Sequence, residues 1–378
     1  MMDGLATVRA ALRRALASSH HEARAMPAAF YIDPDLATLE VEHLFKKEWH
    51  CVGRVEEVAE PGGVMPYRLA NEPLVIVHGR DGAIRALSNV CRHRGTIIVR
   101  EKGRCHRLLC PYHHWAYELD GRLAAAPRIP ERDDFRITDC RLPEFPCEVW
   151  MGFVYVNLDP AAGPLAPRLA DLEALVAPYH MEEMWLGWLG EEVWETNWKA
   201  MVENYMEGYH LTPLHRNTLN NLNPTGLARH IPAGEHWFGY EVGFPEDLPR
   251  VTAGHPDLTK KQSDTCIMAM VQPGSGIGLA ADYSSFLCLQ PEGTDRVRYK
   301  AGILFWGDAW PQRAVDSAVE LFHKTMAEDR SVLEPMMQGY RSSHHESGPL
   351  APPSLEGPLL DLARYVGRRL LPAMGEVA

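Results

Sequence analysis

The chain has 378 residues, 46% hydrophobic and 23% charged, which suits a soluble globular protein of two domains with a sizeable core. A formal net charge of −12 argues against nucleic acid as the main partner, which would want a basic stripe. No run approaches the roughly eighteen apolar residues that span a bilayer, and eight cysteines without a secretion signal favour thiols and metal ligands over a disulfide framework, so the expected compartment is the cytoplasm.

The first 44 residues carry small apolar side chains interrupted by Arg13 and Arg14, which breaks any signal-peptide core and predicts an amphipathic helical segment. Short apolar runs then take over. LVIVH at 74–78 and AIRAL at 83–87 flank Gly79-Arg80-Asp81-Gly82 and read as a β-hairpin. Asp120-Gly121 signals a second hairpin, and further strands are expected within 148–158. Residues 45–158 therefore read as a small all-β domain, closed by a Pro-, Ala- and Gly-rich boundary from Asp159 to Pro167. In the remainder, 159–378, helical spacing appears at 169–180. Strand-like runs follow at 187–198, 265–273, 284–291 and 297–307. A long amphipathic helix is predicted over 314–340 with a kink or break at Pro335, and a short one after Pro358.

Inside the β-domain, Cys91-Arg92-His93 and Cys110-Pro111-Tyr112-His113 form C-x-H-x16-C-x2-H, two thiols and two imidazoles on two loops. A [2Fe–2S] centre in which histidines replace cysteines on one iron needs that donor set. A structural zinc site usually shows C-x2–4-C followed by H-x3–5-H instead. Cys105, His106 and His114 lie close by, so a shift of one residue stays open at this stage.

The segment Asn197 to His215 contains Glu207, His210 and His215 as E-x2-H-x4-H. On a regular helix Glu207 and His210 project within about 60° of each other, whereas His215 lies about 140° from His210. Pro213 is expected to deform or end the helix and bring His215 back. Two neutral imidazoles suit iron, copper, nickel or zinc, so the pair alone does not choose a metal.

With Cys91-Arg92-His93-Arg94-Gly95, Cys110-Pro111-Tyr112-His113-His114-Trp115, Asn197-Trp198-Lys199 and Glu203-Asn204-Tyr205 in this order, the chain resembles the oxygenase alpha subunits of Rieske non-haem iron ring-hydroxylating oxygenases. The resemblance implies an α+β fold: a Rieske-type all-β domain, then a helix-grip (START-like) catalytic domain with a large antiparallel sheet, the first 44 residues packing on the latter. It implies that Cys91 and Cys110 bind one cluster iron and that His93 and His113 bind the other. A mononuclear Fe(II) would be held by His210, His215 and, by the same resemblance, Asp329, with Glu328 as substitute ligand. Glu207 stands where the family has an acid, most often aspartate, that bridges a cluster histidine of one subunit to an iron-ligating histidine of the next. The alternative is that Glu207 only orients His210.

The implied activity is that of a terminal oxygenase component, which uses O2 and electrons from a separate NAD(P)H-dependent reductase, with or without a ferredoxin. It would hydroxylate or oxidatively demethylate a small organic substrate as a homotrimer or α3β3 assembly. The glutamate at 207 is similar to the branch acting on quaternary ammonium compounds. Trp237, Phe238, Tyr240, Trp306 and Trp310 are candidates for an aromatic cage around such a cation, or else ordinary core, and an aromatic carboxylate is equally allowed. Two other classes stand beside this expectation, a Rieske electron-transfer protein and a zinc-stabilised binding protein. The first leaves the second histidine pair without a role, and the second would be colourless.

Overall fold

The computed structural model describes residues 4–130, 132–246, 251–308 and 310–375. Their contacts divide into two compact units, Phe45–Leu165 and a second made of the residues on either side of it. No helix among the described residues is long and apolar enough to cross a membrane.

The first unit is all antiparallel β. A five-stranded sheet runs in the order Gly103–Arg104, Gly63–Leu69, Glu72–His78, Ile84–Ser88 and Glu144–Phe145. Two three-stranded sheets accompany it, one of them pairing Leu108–Leu109, Ala116–Tyr117 and Leu123–Ala125. Both expected hairpins are present, and their turns contain Gly82 at φ 82° and Gly121 at φ 86°, left-handed values that glycine adopts without Cβ strain. The core around Val75, Val77 and Leu87 includes Cys91, Cys110, Trp115 and Tyr117, so the two Cys/His loops are anchored by their buried residues.

The second unit is built on a seven-stranded antiparallel sheet. In chain order its strands are β1 (Trp185–Trp194), β2 (Ala228–Ile231), β3 (Trp237–Gly243), β4 (Thr265–Val271), β5 (Ser275–Leu279), β6 (Tyr283–Pro291) and β7 (Val297–Phe305). They lie in the order β1-β7-β6-β5-β4-β3-β2. Helix α1 (Gly4–Ala17) packs on the C-terminal helix, and two further helices, α2 (Trp198–Tyr205) and α3 (Leu211–Leu214), follow β1. The long α4 (Gln312–Tyr340) and the C-terminal α5 (Pro353–Leu370) complete the unit.

The break expected at Pro335 does not occur, because α4 continues through it to Tyr340. Helix α5 begins five residues before Pro358 rather than after it and absorbs the interruption as a kink at Glu356, whose φ/ψ are −117° and 15°. A proline forfeits one helical hydrogen bond, a loss that tertiary packing overrides here.

Candidate metal centres and the cavity beside them

In the β unit both Cys/His loops close on themselves. The Cys91 amide donates to the Thr96 carbonyl at 2.9 Å and the Gly95 amide to the Cys91 carbonyl at 3.0 Å. In the other loop the Cys110 amide donates to Trp115 at 2.8 Å and the His114 amide to Cys110 at 3.0 Å. The Cys91 and Cys110 thiols, both buried, stand within hydrogen-bonding reach of each other. Cys91 Sγ is 3.3 Å from the Tyr117 hydroxyl, which also accepts from the Arg92 amide at 3.0 Å. The His93 and His113 rings are 4.7 Å apart, and His93 stacks on Trp115 at 4.9 Å.

His114, one residue on, takes a left-handed φ of 59°, while the Cys105 amide is held by the Gly62 carbonyl. The structure thus brings together Cys91, His93, Cys110 and His113 and leaves their neighbours aside. His93 Nδ1 is buried without a hydrogen-bond partner. A buried polar ring nitrogen is costly unless something meets it, and for a pair of thiols and a pair of imidazoles an iron–sulfur cluster is a chemical fit.

The second group lies where α2 ends. Asn197 caps this helix, its Oδ1 accepting from the Lys199 amide at 2.9 Å. The helix stops at Tyr205, eight residues before Pro213, so the expectation that Pro213 ends it is corrected. Glu207 and Gly208 form the break, and Pro213 sits inside the four-residue α3, where its missing amide would have no helical partner anyway. The Glu207 carboxylate accepts from the Tyr209 amide, from the His210 amide at 3.1 Å and from His210 Nδ1 at 2.5 Å. With Nδ1 as donor, His210 presents Nε2 as a lone pair.

His215 is fully buried, and its Nδ1 donates to Glu328 Oε2 at 2.7 Å, which also accepts from the Thr218 hydroxyl at 2.5 Å. Its Nε2 stands 3.1 Å from Asp329 Oδ1 without hydrogen-bond geometry, and His210 Nε2 stands 3.6 Å from the same oxygen. Asn204 Nδ2 donates to Asp329 Oδ1 at 3.2 Å and steers that carboxylate. Donors each bound at about 2.1 Å to one ion stand about 3.0–3.4 Å apart, so the spacing matches a shared metal. Burial disfavours a charge on His215, yet Asp329 and Glu328 outweigh it and raise the imidazole above its usual value. Two carboxylates around one buried and one half-buried imidazole create a field that a divalent cation satisfies. Glu328 faces the back of His215, so it is an orienting acceptor and not the substitute ligand.

This group opens into a cavity of about 130 Å³ between the sheet and α4. Register explains its floor. Tyr240, Met268, Gly278, Ser285 and Ile303 form one row across β3, β4, β5, β6 and β7, and all five line the cavity. A side chain at Gly278 would put its Cβ 2.9 Å from Ser285 Oγ, so the row needs glycine there. Helix α4 contributes Phe322, Thr325, Met326 and Asp329, spaced to fall on one face. The Asn223 amide nitrogen and the Thr325 hydroxyl are buried at this wall without partners, two polar groups that sequence alone gave no reason to single out.

Of the five aromatics expected as a cage, only Tyr240 lines this cavity, together with Tyr205, Tyr283 and Phe322. Trp237 and Phe238 border a different cavity, Trp306 packs edge-on to His255, and Trp310 packs on Phe305. Strand positions do not reveal from spacing alone which face meets the cavity.

Residues 48–146 match the family profile described as Rieske [2Fe-2S] domain, and residues 174–371 match Ring hydroxylating alpha subunit (catalytic domain). The two domains indicate a Rieske cluster and a mononuclear iron. The chain belongs to the ring-hydroxylating alpha-subunit family. It is 34% identical over 238 residues to the glycine betaine monooxygenase oxygenase subunit of Chromohalobacter salexigens, covering 63% of this chain and 49% of that protein. To the carnitine monooxygenase oxygenase subunit of Escherichia coli K12 it is 36% identical over 197 residues, covering 51% of this chain and 53% of that one. The chain thus spans about half the length of these relatives.

Among solved structures, the quaternary ammonium Rieske monooxygenase CntA in complex with L-carnitine superposes with a TM-score of 0.81 at 22% identity, covering 93% of this chain and 97% of that one. Naphthalene 1,2-dioxygenase from Rhodococcus sp. bound to indole gives 0.80 at 21%, covering 97% and 98%. At these identities the likeness is one of fold.

Proposed function

We propose that this protein is the terminal oxygenase component of a Rieske non-haem iron system acting on a compact quaternary amine. The observation that carries the reading is the convergence of His210, His215 and Asp329 within 4.8 Å of one another at a buried cavity, in a chain that also gathers Cys91, His93, Cys110 and His113. Cys91 and Cys110 would hold one cluster iron, His93 and His113 the other, and His210, His215 and Asp329 the mononuclear iron. When bound, the cluster supplies single electrons and the mononuclear iron activates O2.

The chain's own residues prepare that chemistry. Glu207 and Glu328 each accept a hydrogen bond from the Nδ1–H of one histidine, fixing both Nε2 lone pairs toward the metal position. Asn204 holds the Asp329 oxygen. The exposed Tyr112 and Leu109 flank the second Cys/His loop and offer a separate reductase or ferredoxin an apolar approach to His113. In a ring-shaped homotrimer Glu207 would also bridge to a cluster histidine of the next subunit.

Size and charge favour the amine over an aromatic acid. An engineered apolar cavity of about 150 Å³ holds benzene, so about 130 Å³ admits one ring or one trimethylammonium head. The walls offer four aromatic side chains for a cation–π contact, and no Lys or Arg among the described lining residues for a carboxylate or sulfonate. An outer chamber shares Tyr283, Ala318 and Leu321 with this cavity and is bordered by Arg313, which suits the anionic end of a longer amine.

The test is substrate-coupled oxygen uptake by the reconstituted protein with NADH and a reductase. Metal analysis should give about three irons and two sulfides per chain. Glycine betaine, L-carnitine or γ-butyrobetaine should accelerate NADH oxidation and be recovered oxidised. Zinc in place of iron, or stimulation by aromatic acids alone, would overturn the reading.

A further inference from the structure

A second cavity, of about 400 Å³, lies in the sheet-and-helix unit and shares no lining residue with the active-site cavity. Segments remote in sequence meet on its wall: His20 before the first long loop, His230 on β2 and Asp361 on α5. His20 Nε2 is 3.1 Å from one Asp361 oxygen and His230 Nε2 is 2.6 Å from the other. Gly357, one turn earlier on α5, is what admits His230, since a Cβ there would stand 2.8 Å from the ring.

The charges along this wall can be counted. Asp361 is answered by the two imidazoles and by Arg364 Nη1 at 3.8 Å, and Glu235 by Arg369 Nη2 at 3.9 Å. Arg368 lies exposed at the rim with neither a hydrogen bond nor an ion pair among the described residues, and Asp171, whose Oδ2 approaches Gly234, adds a third carboxylate beside the cavity. Partial desolvation and the neighbouring Arg369 lower the Arg368 pKa, while Glu235 and Asp361 act in the opposite direction.

The same wall carries buried groups with unmet hydrogen bonds. Gln272 is 4% exposed and neither its amide oxygen nor its amide nitrogen has a partner. Trp237 is 5% exposed, and its indole N–H is likewise unmet. A Cβ at Gly234 would stand 2.3 Å from that indole nitrogen and 2.4 Å from Asp171 Oδ2, so glycine keeps the space in front of the N–H open.

Two imidazoles and a carboxylate resemble a metal site, but here they satisfy one another, and a divalent ion would have Arg364 beside it. The groups on this wall still open to a ligand are the Arg368 guanidinium at the rim, the Trp237 and Gln272 N–H groups, which want acceptors, and the Gln272 carbonyl, which wants a donor. We propose that this cavity binds a small oxyanion carrying its own hydroxyl, either a hydroxycarboxylate or a hydrogen phosphate. The anionic oxygens take the N–H donors and face Arg368, and the hydroxyl donates to Gln272 Oε1.

The test is isothermal titration of the iron-loaded protein with L-lactate, inorganic phosphate, acetate and sodium chloride. Saturable binding of lactate or phosphate, at least about tenfold tighter than acetate, is the expected result, and the stronger of the two identifies the source. Arg368→Gln, a change at an exposed position, and Trp237→Phe, which removes only the N–H, should each weaken binding about tenfold or more. The cluster spectrum and amine turnover should be unchanged in both. Absence of saturation by either anion up to about 20 mM, equal affinity for acetate, or unaltered binding by Arg368→Gln would overturn the proposal.

Discussion

Glu328 and Asp329 are adjacent in sequence and about 100° apart around α4, so one carboxylate faces the cavity and the other meets the back of His215. Replacing Glu328 with alanine should leave the cluster intact and weaken retention of the mononuclear iron by about 10- to 100-fold, the usual cost of losing such an acceptor. Iron analysis beside the cluster's visible absorption checks this, and simultaneous loss of both signals would count against the assignment. A different carboxylate responds to pH. Glu203 is half-buried, and desolvation pushes its pKa up to about 8 although Tyr31 donates to both its oxygens, at 2.8 and 3.0 Å. Its folded value lies above the unfolded one, so its contribution is fully present below about pH 4.5 and is lost as pH rises through 8. Denaturant titrations at pH 6 and 8.5 should therefore show a drop in stability that Glu203→Gln reduces, and an identical drop in the variant would refute the linkage. At this scale Cys91, His93, Cys110 and His113 were legible from the chain because spacing within each loop is local. Asp329 followed from family likeness alone, and Asn204, Asn223 and Thr325 were not legible, because only tertiary packing turns them to the cavity.

The element that most affects the metal group is the interruption between α2 and α3. Gly208 lies in it, donates its amide to the Leu355 carbonyl at 2.9 Å, and touches β2 so closely that a Cβ would stand 2.6 Å from that of Ala228. Gly208→Ala should cost about 1–3 kcal/mol through overpacking and lower iron occupancy, because His210 is fixed only two residues on. Denaturant midpoints with iron content measure both, and an unchanged midpoint would show that the contact yields freely. The histidine spacing was readable in advance, but its cause was misplaced: Pro213 attracted attention as the obvious helix breaker, while the interruption belongs to Glu207 and Gly208. Strands β2, β3 and β5 were not named as strands from the sequence. The SGIGL of β5 has weak strand propensity, and its glycines serve close packing under Tyr205 and Ser285.

On the scale of the whole molecule, the contacts form two units, each with its own sheets. The β unit is one uninterrupted stretch with a core centred on residues such as Val75, Leu87, Tyr117 and Leu142. A fragment comprising residues 45–165 is therefore expected to fold alone and, once loaded with iron and sulfide, to give the spectrum of a histidine-ligated [2Fe–2S] centre. A colourless, unfolded fragment would refute that autonomy. The other unit is discontinuous: α1 packs against α5, and the Arg364 guanidinium donates to the Ala15 and Ser18 carbonyls at 3.2 and 2.7 Å. During translation the β stretch can mature while still tethered to the ribosome, whereas its companion must wait for α5 to emerge. On the proposed function, the electron-storing unit would be ready first, and the unit that handles oxygen would close only after α5 has joined α1.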